Sequence, residues 1–149
     1  VTLRIVAPEA HHRADWDRLY AGYADFYRVA QTPEMRDRVW GWVHDPSHEV
    51  KALLALDEAG RAVGLAHYRP FARPLSATVG GFLDDLFVDP AARGQRVADA
   101  LIEALAEIGR ARGWSVIRWI TADDNYRGRS VYDRVATRTP WITYDKRLP

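Results

Sequence analysis

Asp85-Leu86-Phe87-Val88-Asp89-Pro90-Ala91-Ala92-Arg93-Gly94-Gln95-Arg96-Val97-Ala98 is the stretch on which the fold turns. Leu86, Phe87 and Val88 are apolar and strand-favouring, and Pro90 and Gly94 supply turn chemistry. After Arg96, the residues Val97, Leu101, Ile102, Leu105 and Ile108 recur at helical spacing until Gly113 offers a left-handed cap. A strand therefore passes through a glycine-containing turn into an amphipathic helix. Such a passage aims unpaired backbone N–H groups at one point, where the helix dipole adds positive potential, and a pyrophosphate suits that point. An ordinary strand-to-helix turn with its arginines in solvent is the alternative reading of this segment. Residues 114–120 follow as a strand, and strand, helix, strand in that order implies a parallel pair joined by a right-handed crossover.

Upstream, residues 2–6 alternate as a half-buried strand and Pro8 ends them. Trp16, Leu19, Tyr20, Tyr23 and Tyr27 then trace one face of a helix over residues 9–27. Thr32-Pro33 reads as an N-cap with proline in the first helical position, opening a second helix marked by Met35, Val39, Trp40 and Val43. Apolar runs at 49–56 and 62–68 flank Asp57-Glu58-Ala59-Gly60-Arg61, a hairpin composition, and residues 78–88 form a long fourth strand. Downstream, Asp123-Asp124-Asn125 caps a helix over 126–136, and Trp141-Ile142-Thr143-Tyr144 reads as a last strand. The expectation is one α+β domain over residues 1–149, with a mixed sheet of about six to seven strands and about four helices.

Composition bounds what such a domain does. The chain has 149 residues, 48% hydrophobic and 28% charged, within the range of globular proteins rather than disordered or fibrous ones. Its 21 basic and 20 acidic residues give a net charge of +1, so no general attraction for nucleic acid or an anionic membrane is expected. Of the basic residues only Lys51 and Lys146 are lysine, which reads as a coding bias. The absence of cysteine excludes a disulfide framework, a thiolate nucleophile and cysteine-ligated metal, and the five histidines lack zinc-like spacing, so no metal is expected. Residues 1–7 have no signal-peptide character and no run is long enough to span a membrane. A cytoplasmic location is the expectation.

The run Arg93-Gly94-Gln95-Arg96-Val97-Ala98, preceded by Asp85-Leu86-Phe87-Val88, resembles the acetyl-CoA motif of the GNAT superfamily of N-acetyltransferases, Gln/Arg-x-x-Gly-x-Gly/Ala, with Arg96 in place of the middle glycine. Asn125-Tyr126-Arg127-Gly128-Arg129-Ser130-Val131-Tyr132 resembles that family's later motif, an asparagine followed by a helix with a tyrosine seven residues on. The resemblance implies a GNAT-like fold and acetyl-CoA as cosubstrate. It further implies that Phe87 and Val88 pair with the pantetheine arm, that Arg93, Gly94, Gln95, Arg96, Val97 and Ala98 hold the pyrophosphate, and that Asn125 helps fix the cofactor. Leu83-Asp84-Asp85-Leu86-Phe87-Val88 is similar to a stretch of the spermidine/spermine acetyltransferase-like members, which places Asp84 at a proposed base.

The chemistry implied is attack of a neutral amine on a thioester. Tyr132 suits the role of proton donor to the leaving thiolate, because a phenol near ~10 and a thiol near ~8.5 are close in pKa. A tyrosine merely packed on its helix is the plain alternative. Asp84 is the candidate base. Since successive strand residues face opposite sides, only one of Asp84 and Asp85 is expected to face the site, with Asp85 structural. Asp123 and Asp124 read as acids complementing a helix dipole, and the aromatic residues between the first two helices as core, with Phe26 and Tyr27 the best candidates to line a pocket. The expected acceptor is the primary amine of a small molecule, a polyamine or an amino-acid-like compound. A protein or peptide amine, or an inert acyl-CoA-binding module, remain as alternatives. The resemblance and the alternating residues 141–146 also motivate a homodimer.

Overall fold

The computed structural model describes residues 2–149; Val1, at the head of the amino-terminal segment, lies outside them. The chain runs β1 (Arg4–Val6), α1 (Arg13–Phe26), α2 (Pro33–His44), β2 (Lys51–Leu56), β3 (Ala62–Arg73), β4 (Thr78–Val88), α3 (Val97–Arg112), β5 (Ile117–Arg118) and α4 (Tyr126–Val135). The strands form one sheet in the order β1-β2-β3-β4-β5. Neighbours are antiparallel up to β4, and β5 lies parallel to β4 across the α3 crossover. This is a mixed α+β fold of the expected GNAT-like kind.

Local chemistry sets the element boundaries. Thr32 Oγ1 accepts the Met35 N–H at 3.2 Å with Pro33 in the first helical turn, so α2 begins where its N-cap dictates. In the β2–β3 hairpin, Asp57 Oδ1 accepts the N–H groups of Ala59 and Arg61, both at 3.0 Å, and Gly60 takes φ +83°. α3 stops at Gly113, whose φ is +72°.

The sheet carries a core on each face. On one, Trp16 and Leu19 of α1 cover Leu54, Leu56 and Leu65. On the other, Val97, Leu101 and Leu105 of α3 cover Leu53, Ala55, Ala66 and Leu83. Adjacent residues of β2 thus serve opposite cores, as a strand period of two requires.

Two expectations are corrected. The sheet has five strands rather than six to seven, because residues 141–146 stand outside it. Trp141, Ile142 and Tyr144 are exposed. Alternation gives a segment two faces but supplies no edge to pair with, and among the described residues no strand lies beside this segment. Likewise residues 114–120 contribute only Ile117–Arg118 to the ladder, because β4 and β5 part after two rungs.

Gly64 of β3 sets the seat of α3. A Cβ there would lie 2.5 Å from Val97 Cγ1 and 3.0 Å from Leu101 Cδ1, both on buried, tightly held side chains. Gly64→Ala therefore lifts the amino-terminal end of α3 from the sheet, with an expected cost of ~1–3 kcal/mol from overpacking. Thermal unfolding checks this as a fall of the midpoint by several degrees.

Candidate active site

β4 pairs with β5 only at Gly81↔Ile117 and Phe82↔Arg118. Beyond Phe82, β4 continues to Val88 while β5 has ended, and the strands splay. Every second residue of β4 past this point turns its N–H and C=O away from β3 into the gap. A cleft of about 410 Å³ fills the gap, walled by β4 (Leu86, Phe87, Val88), the turn into α3, α4, and the carboxyl end of α1.

At one end of the cleft stands the α3 amino terminus. Its first intrahelical bond runs from the Ala100 N–H to the Arg96 carbonyl at 3.1 Å, so the Val97, Ala98 and Asp99 amides have no partner inside the helix. Gly94 (φ +83°) and Arg96 (φ +59°) are both left-handed, which folds the preceding loop around the same point. Arg96 thus adopts the conformation that a glycine would hold without strain. Arg93, Arg96, Arg127 and Arg134 line the cleft here, against the single carboxylate of Asp99, which Arg134 and Arg96 hold at 2.5 and 3.3 Å. Unpaired amides, a helix dipole and surplus guanidinium charge fit a pyrophosphate, and the free edge of β4 fits a hydrogen-bonding pantetheine arm.

Tyr132 of α4 lies further in, edge-on to Trp119 with ring centres 5.5 Å apart. Burial, reinforced by the Tyr27 phenol, pushes its pKa up to about 12, so the hydroxyl is a proton donor across the working pH range. Phe87, Val88, Arg93, Gly94, Arg96, Val97, Ala98, Asn125 and Tyr132 all meet at this cleft; Gln95 and Asp84 are not on its wall. Asn125 caps α4, its Oδ1 accepting the Gly128 N–H at 3.2 Å while its Nδ2 donates to Thr121 Oγ1 at 3.0 Å. Phe26 and Tyr27 line the cleft as expected.

The two β4 aspartates depart from simple alternation. The β3–β4 register shifts between His67 and Tyr68, pairing His67 with Asp85 and Tyr68 with Leu83, so Asp84 is the extra residue of a β-bulge. Asp84 accepts from Arg69 Nε at 3.1 and 3.2 Å, and Arg69 lies opposite Phe82 on the face that also carries His67 and Asp85. Both acids therefore reach the α1/α2 side. The simple alternation that would set them on opposite sides is broken here because the bulge cancels one step of the period, and neither acid lines the cleft wall.

Asp85 anchors a buried network that composition and spacing did not disclose. His67 is 1% exposed. Trp16 Nε1 donates to His67 Nε2 at 3.0 Å, so the ring proton sits on Nδ1 and is donated to Asp85 Oδ2 at 2.9 Å. Tyr20 donates to the same oxygen at 3.0 Å, and the Tyr23 hydroxyl faces the same carboxylate from the cleft wall. Burial pushes the Asp85 carboxyl up, but hydrogen bonds from His67, Tyr20 and Tyr23 outweigh it and leave the group below the usual carboxylate range. The Tyr20 and Tyr23 phenols are raised by burial first and by the Asp85 charge second. Asp84 is raised, chiefly by burial and further by the Asp85 charge, against the opposing pull of Arg69. The one sequence signal for this network was a lone histidine in the apolar run of β3.

A cleft opened by splayed parallel strands, closed at one end by an anion-binding helix terminus and lined by a protonated phenol, defines a transferase that works with a phosphate-bearing acyl carrier. The chain belongs to the acetyltransferase (GNAT) family, whose model matches residues 16–136, and it is an N-acetyltransferase. GNAT acetyltransferases use acetyl-CoA. The chain is 27% identical over 143 residues to the D-amino-acid N-acetyltransferase HPA3 of Saccharomyces cerevisiae, covering 95% of this chain and 89% of that protein. Among solved structures it resembles a probable acetyltransferase (28% identity, TM-score 0.83, 98% of this chain and 97% of that one). It also shares the fold of the aminoglycoside N-acetyltransferase AAC(6')-Iy in complex with CoA (17% identity, TM-score 0.84, 98% and 95%).

The Asp85 network makes a stability prediction. His67→Ala leaves the Trp16 indole and Asp85 each short of a partner and opens a cavity, with an expected cost of ~2–4 kcal/mol by denaturant unfolding. Because the folded-state pKa of Asp85 is depressed, its contribution is fully present above the unfolded value near ~3.9 and is lost as pH falls through the folded value. The stability gap between wild type and Asp85→Asn is therefore expected to be constant near neutrality and to close in acid.

Proposed function

We propose that this protein transfers the acetyl group of acetyl-CoA directly to the primary amine of a small, amino-acid-like molecule. The observation that carries the reading is the placement of the partly buried Tyr132 hydroxyl on the wall of the same cleft as the unpaired α3 amides. Bound acetyl-CoA would supply an activated acetyl thioester. Arg93, Gly94, Arg96, Val97 and Ala98 would bind its pyrophosphate, the free edge of β4 at Phe87 and Val88 would orient its arm, and Asn125, the cap of α4, would help fix it from the facing wall. Transfer forms an amide C–N bond, breaks the C–S bond, removes one proton from the amine and delivers one to the departing sulfur. Tyr132 donates that proton. Asp84, raised by burial and bonded to a single arginine, takes the amine proton through a water, while Asp85 is occupied by His67 and Tyr20.

The relative acting on D-amino acids supports an amino-acid-like acceptor; the polyamine reading rests on residues 83–88 alone. Among the described residues no helix is long and apolar enough to cross a membrane, which accords with the cytoplasmic location proposed here. The exposed segment at 141–146 is proposed to pair with a second copy as a homodimer, and sedimentation at micromolar concentration is expected to give twice the 17.0 kDa chain mass; a lone monomer refutes it.

Thiol release from acetyl-CoA with panels of amino acids, polyamines and a peptide amine tests the reading. Tyr132→Phe is expected to lower kcat by ~10²–10⁴ while CoA still binds, and wild type is expected to show no alkaline fall in rate from this tyrosine below about pH 11. Asp84→Asn is expected to slow turnover most at lower pH, where more of the amine needs deprotonating. CoA binding without thiol release from any amine would instead mark an inert acyl-CoA-binding module.

A further inference from the structure

Four aromatic rings stand together on the cleft wall: Tyr23, Phe26 and Tyr27 from the carboxyl end of α1, and Phe87 from β4. Ring centres are 5.0 Å apart for Phe26 and Tyr27, 5.0 Å for Tyr27 and Tyr23, and 6.3 Å for Tyr23 and Phe87. The interplanar angles are 84°, 59° and 88° in the same order, the tilted and edge-on geometry in which aromatic rings attract one another and which a further ring can join. Phe26 is 50% exposed and Tyr27 36%. On a concave wall such apolar surface is what a bound apolar group covers.

The wall is built to keep its shape. α1 ends in a Schellman motif, in which the Arg28 N–H donates to the Asp25 carbonyl at 3.1 Å and the Val29 N–H to the Ala24 carbonyl at 2.8 Å. Arg28 there takes the left-handed conformation, φ +56°, that glycine more often supplies, so the chain turns away directly after Phe26 and Tyr27 and leaves both at the cleft. Phe87 is seated by Gly22 of α1, where a Cβ would lie 3.0 Å from Phe87 Cε2 and Cζ. A glycine inside a helix costs stability; this one leaves the Phe87 ring room against the helix.

Charge decides what kind of group the rings receive. The cleft is lined by four arginines and by one carboxylate, Asp99, which Arg134 and Arg96 already hold. No other carboxylate lines it among the described residues, so a side chain bearing a second ammonium finds no free counter-ion beside these rings. A neutral ring needs none. Tyr132 borders the same cleft of about 410 Å³, and the Tyr27 phenol is close enough to act on its ionisation, which sets the rings beside the proton donor of the transfer.

We propose that the acceptor amine carries a neutral aromatic side chain seated against Tyr23, Phe26, Tyr27 and Phe87, and that Phe26 and Tyr27 set this specificity. The inference rests on the small-molecule acetyl transfer described above and narrows its acceptor. The step is unchanged: the C–N bond forms, the C–S bond breaks, the amine loses one proton and the sulfur gains one.

The test compares phenylalanine, alanine and arginine, each as D and L enantiomers, by thiol release from acetyl-CoA. Wild type is expected to favour phenylalanine over both others by tenfold or more in kcat/KM in at least one enantiomeric series. Phe26→Ala and Tyr27→Ala are each expected to cut the phenylalanine-to-alanine ratio at least fivefold, through KM for phenylalanine rather than kcat, and Tyr27→Phe to keep it, because the ring makes the contact. Circular dichroism and the thermal midpoint confirm folding of each variant, and Phe26→Leu, which keeps apolar volume without the ring, replaces Phe26→Ala if that protein fails to fold. Calorimetric binding of the favoured enantiomer to the CoA-loaded protein, weakened at least fivefold by loss of the Phe26 ring, gives a readout independent of turnover. A wild type that acetylates alanine or arginine as well as phenylalanine, or variants that keep the ratio, overturn the inference and leave the acetyl-transfer reading standing. Variants whose only change is a higher KM for acetyl-CoA also overturn it, by assigning the rings to the cosubstrate. Ring-dependent binding of phenylalanine without thiol release from any amine keeps the aromatic subsite and overturns the transfer reading.

Discussion

The two-rung ladder between β4 and β5 is the constraint from which the site follows. It exists where it does because β4 carries Gly80 and Gly81 near its start. At Gly81 a Cβ would fall 2.4 Å from the Trp114 ring, and at Gly80 it would fall 3.0 Å from Val116 Cγ1, so the segment leading into β5 can lie tightly against this end of β4. From Leu83 onward the strand carries full-sized side chains, two of which, Leu86 and Phe87, wall the cleft. The pairing groups that β5 leaves free on β4 face the cleft, where water or a ligand can satisfy them. The sheet is thus built with a vacancy of defined chemistry between two strands, and α3, which must cross from one to the other, brings its amino terminus to the mouth of that vacancy.

The bulge at Asp84 divides labour between two adjacent acids. By placing both on one face, it lets the environment of each decide its role. Asp85 receives His67, Tyr20 and Tyr23 and is held ionised. It stitches α1 to β3 through Trp16 and fixes the tyrosines that border the cleft. Asp84 is hydrogen-bonded to Arg69 alone and is raised, chiefly by burial, which leaves it the more basic of the two. A carboxylate held by His67 and Tyr20 positions its neighbours well and accepts protons poorly, so the same bulge sets a strut beside a less committed acid.

Much of the fold was legible because it is governed by local rules. The helical spacing of Trp16, Leu19 and Tyr23, the Thr32-Pro33 cap, the Asp57–Arg61 turn and the Gly113 stop are each decided within a few residues of chain. The cleft was legible because its parts are consecutive, from Leu86 to Ala98 and from Asn125 to Tyr132. What escaped depends on distant partners. The alternation of residues 141–146 could not reveal that no strand in this chain adjoins them, and the apolar run at 114–120 could not reveal how few of its residues would find β4. The bulge is invisible to a period-two count, which assigned Asp84 and Asp85 to opposite faces. His67 lay in a run of small and apolar residues, and its importance comes from Trp16, 51 positions earlier, and Asp85, 18 later.

Arg96 shows how a departure from a motif can preserve the backbone it seems to threaten. Its φ of +59° and ψ of +32° are left-handed, a conformation costing an ordinary residue ~1–2 kcal/mol. The exposed ion pair to Asp99 returns less than ~1 kcal/mol and does not offset this alone. The helix that follows does, because Val97, Leu101 and Leu105 are each nearly fully buried, and burial of one such side chain stabilises by ~1.5–3 kcal/mol. Packing of α3 therefore imposes the turn on whatever residue stands there, and arginine adds a cation that glycine lacks. The same reasoning qualifies the near-neutral total of +1. Four arginines against one aspartate at the α3 end, and two aspartates among hydroxyls on the opposite face, make a dipolar site within a balanced molecule, and it is this local field rather than the net charge that a phosphate at one end and an amine at the other would meet.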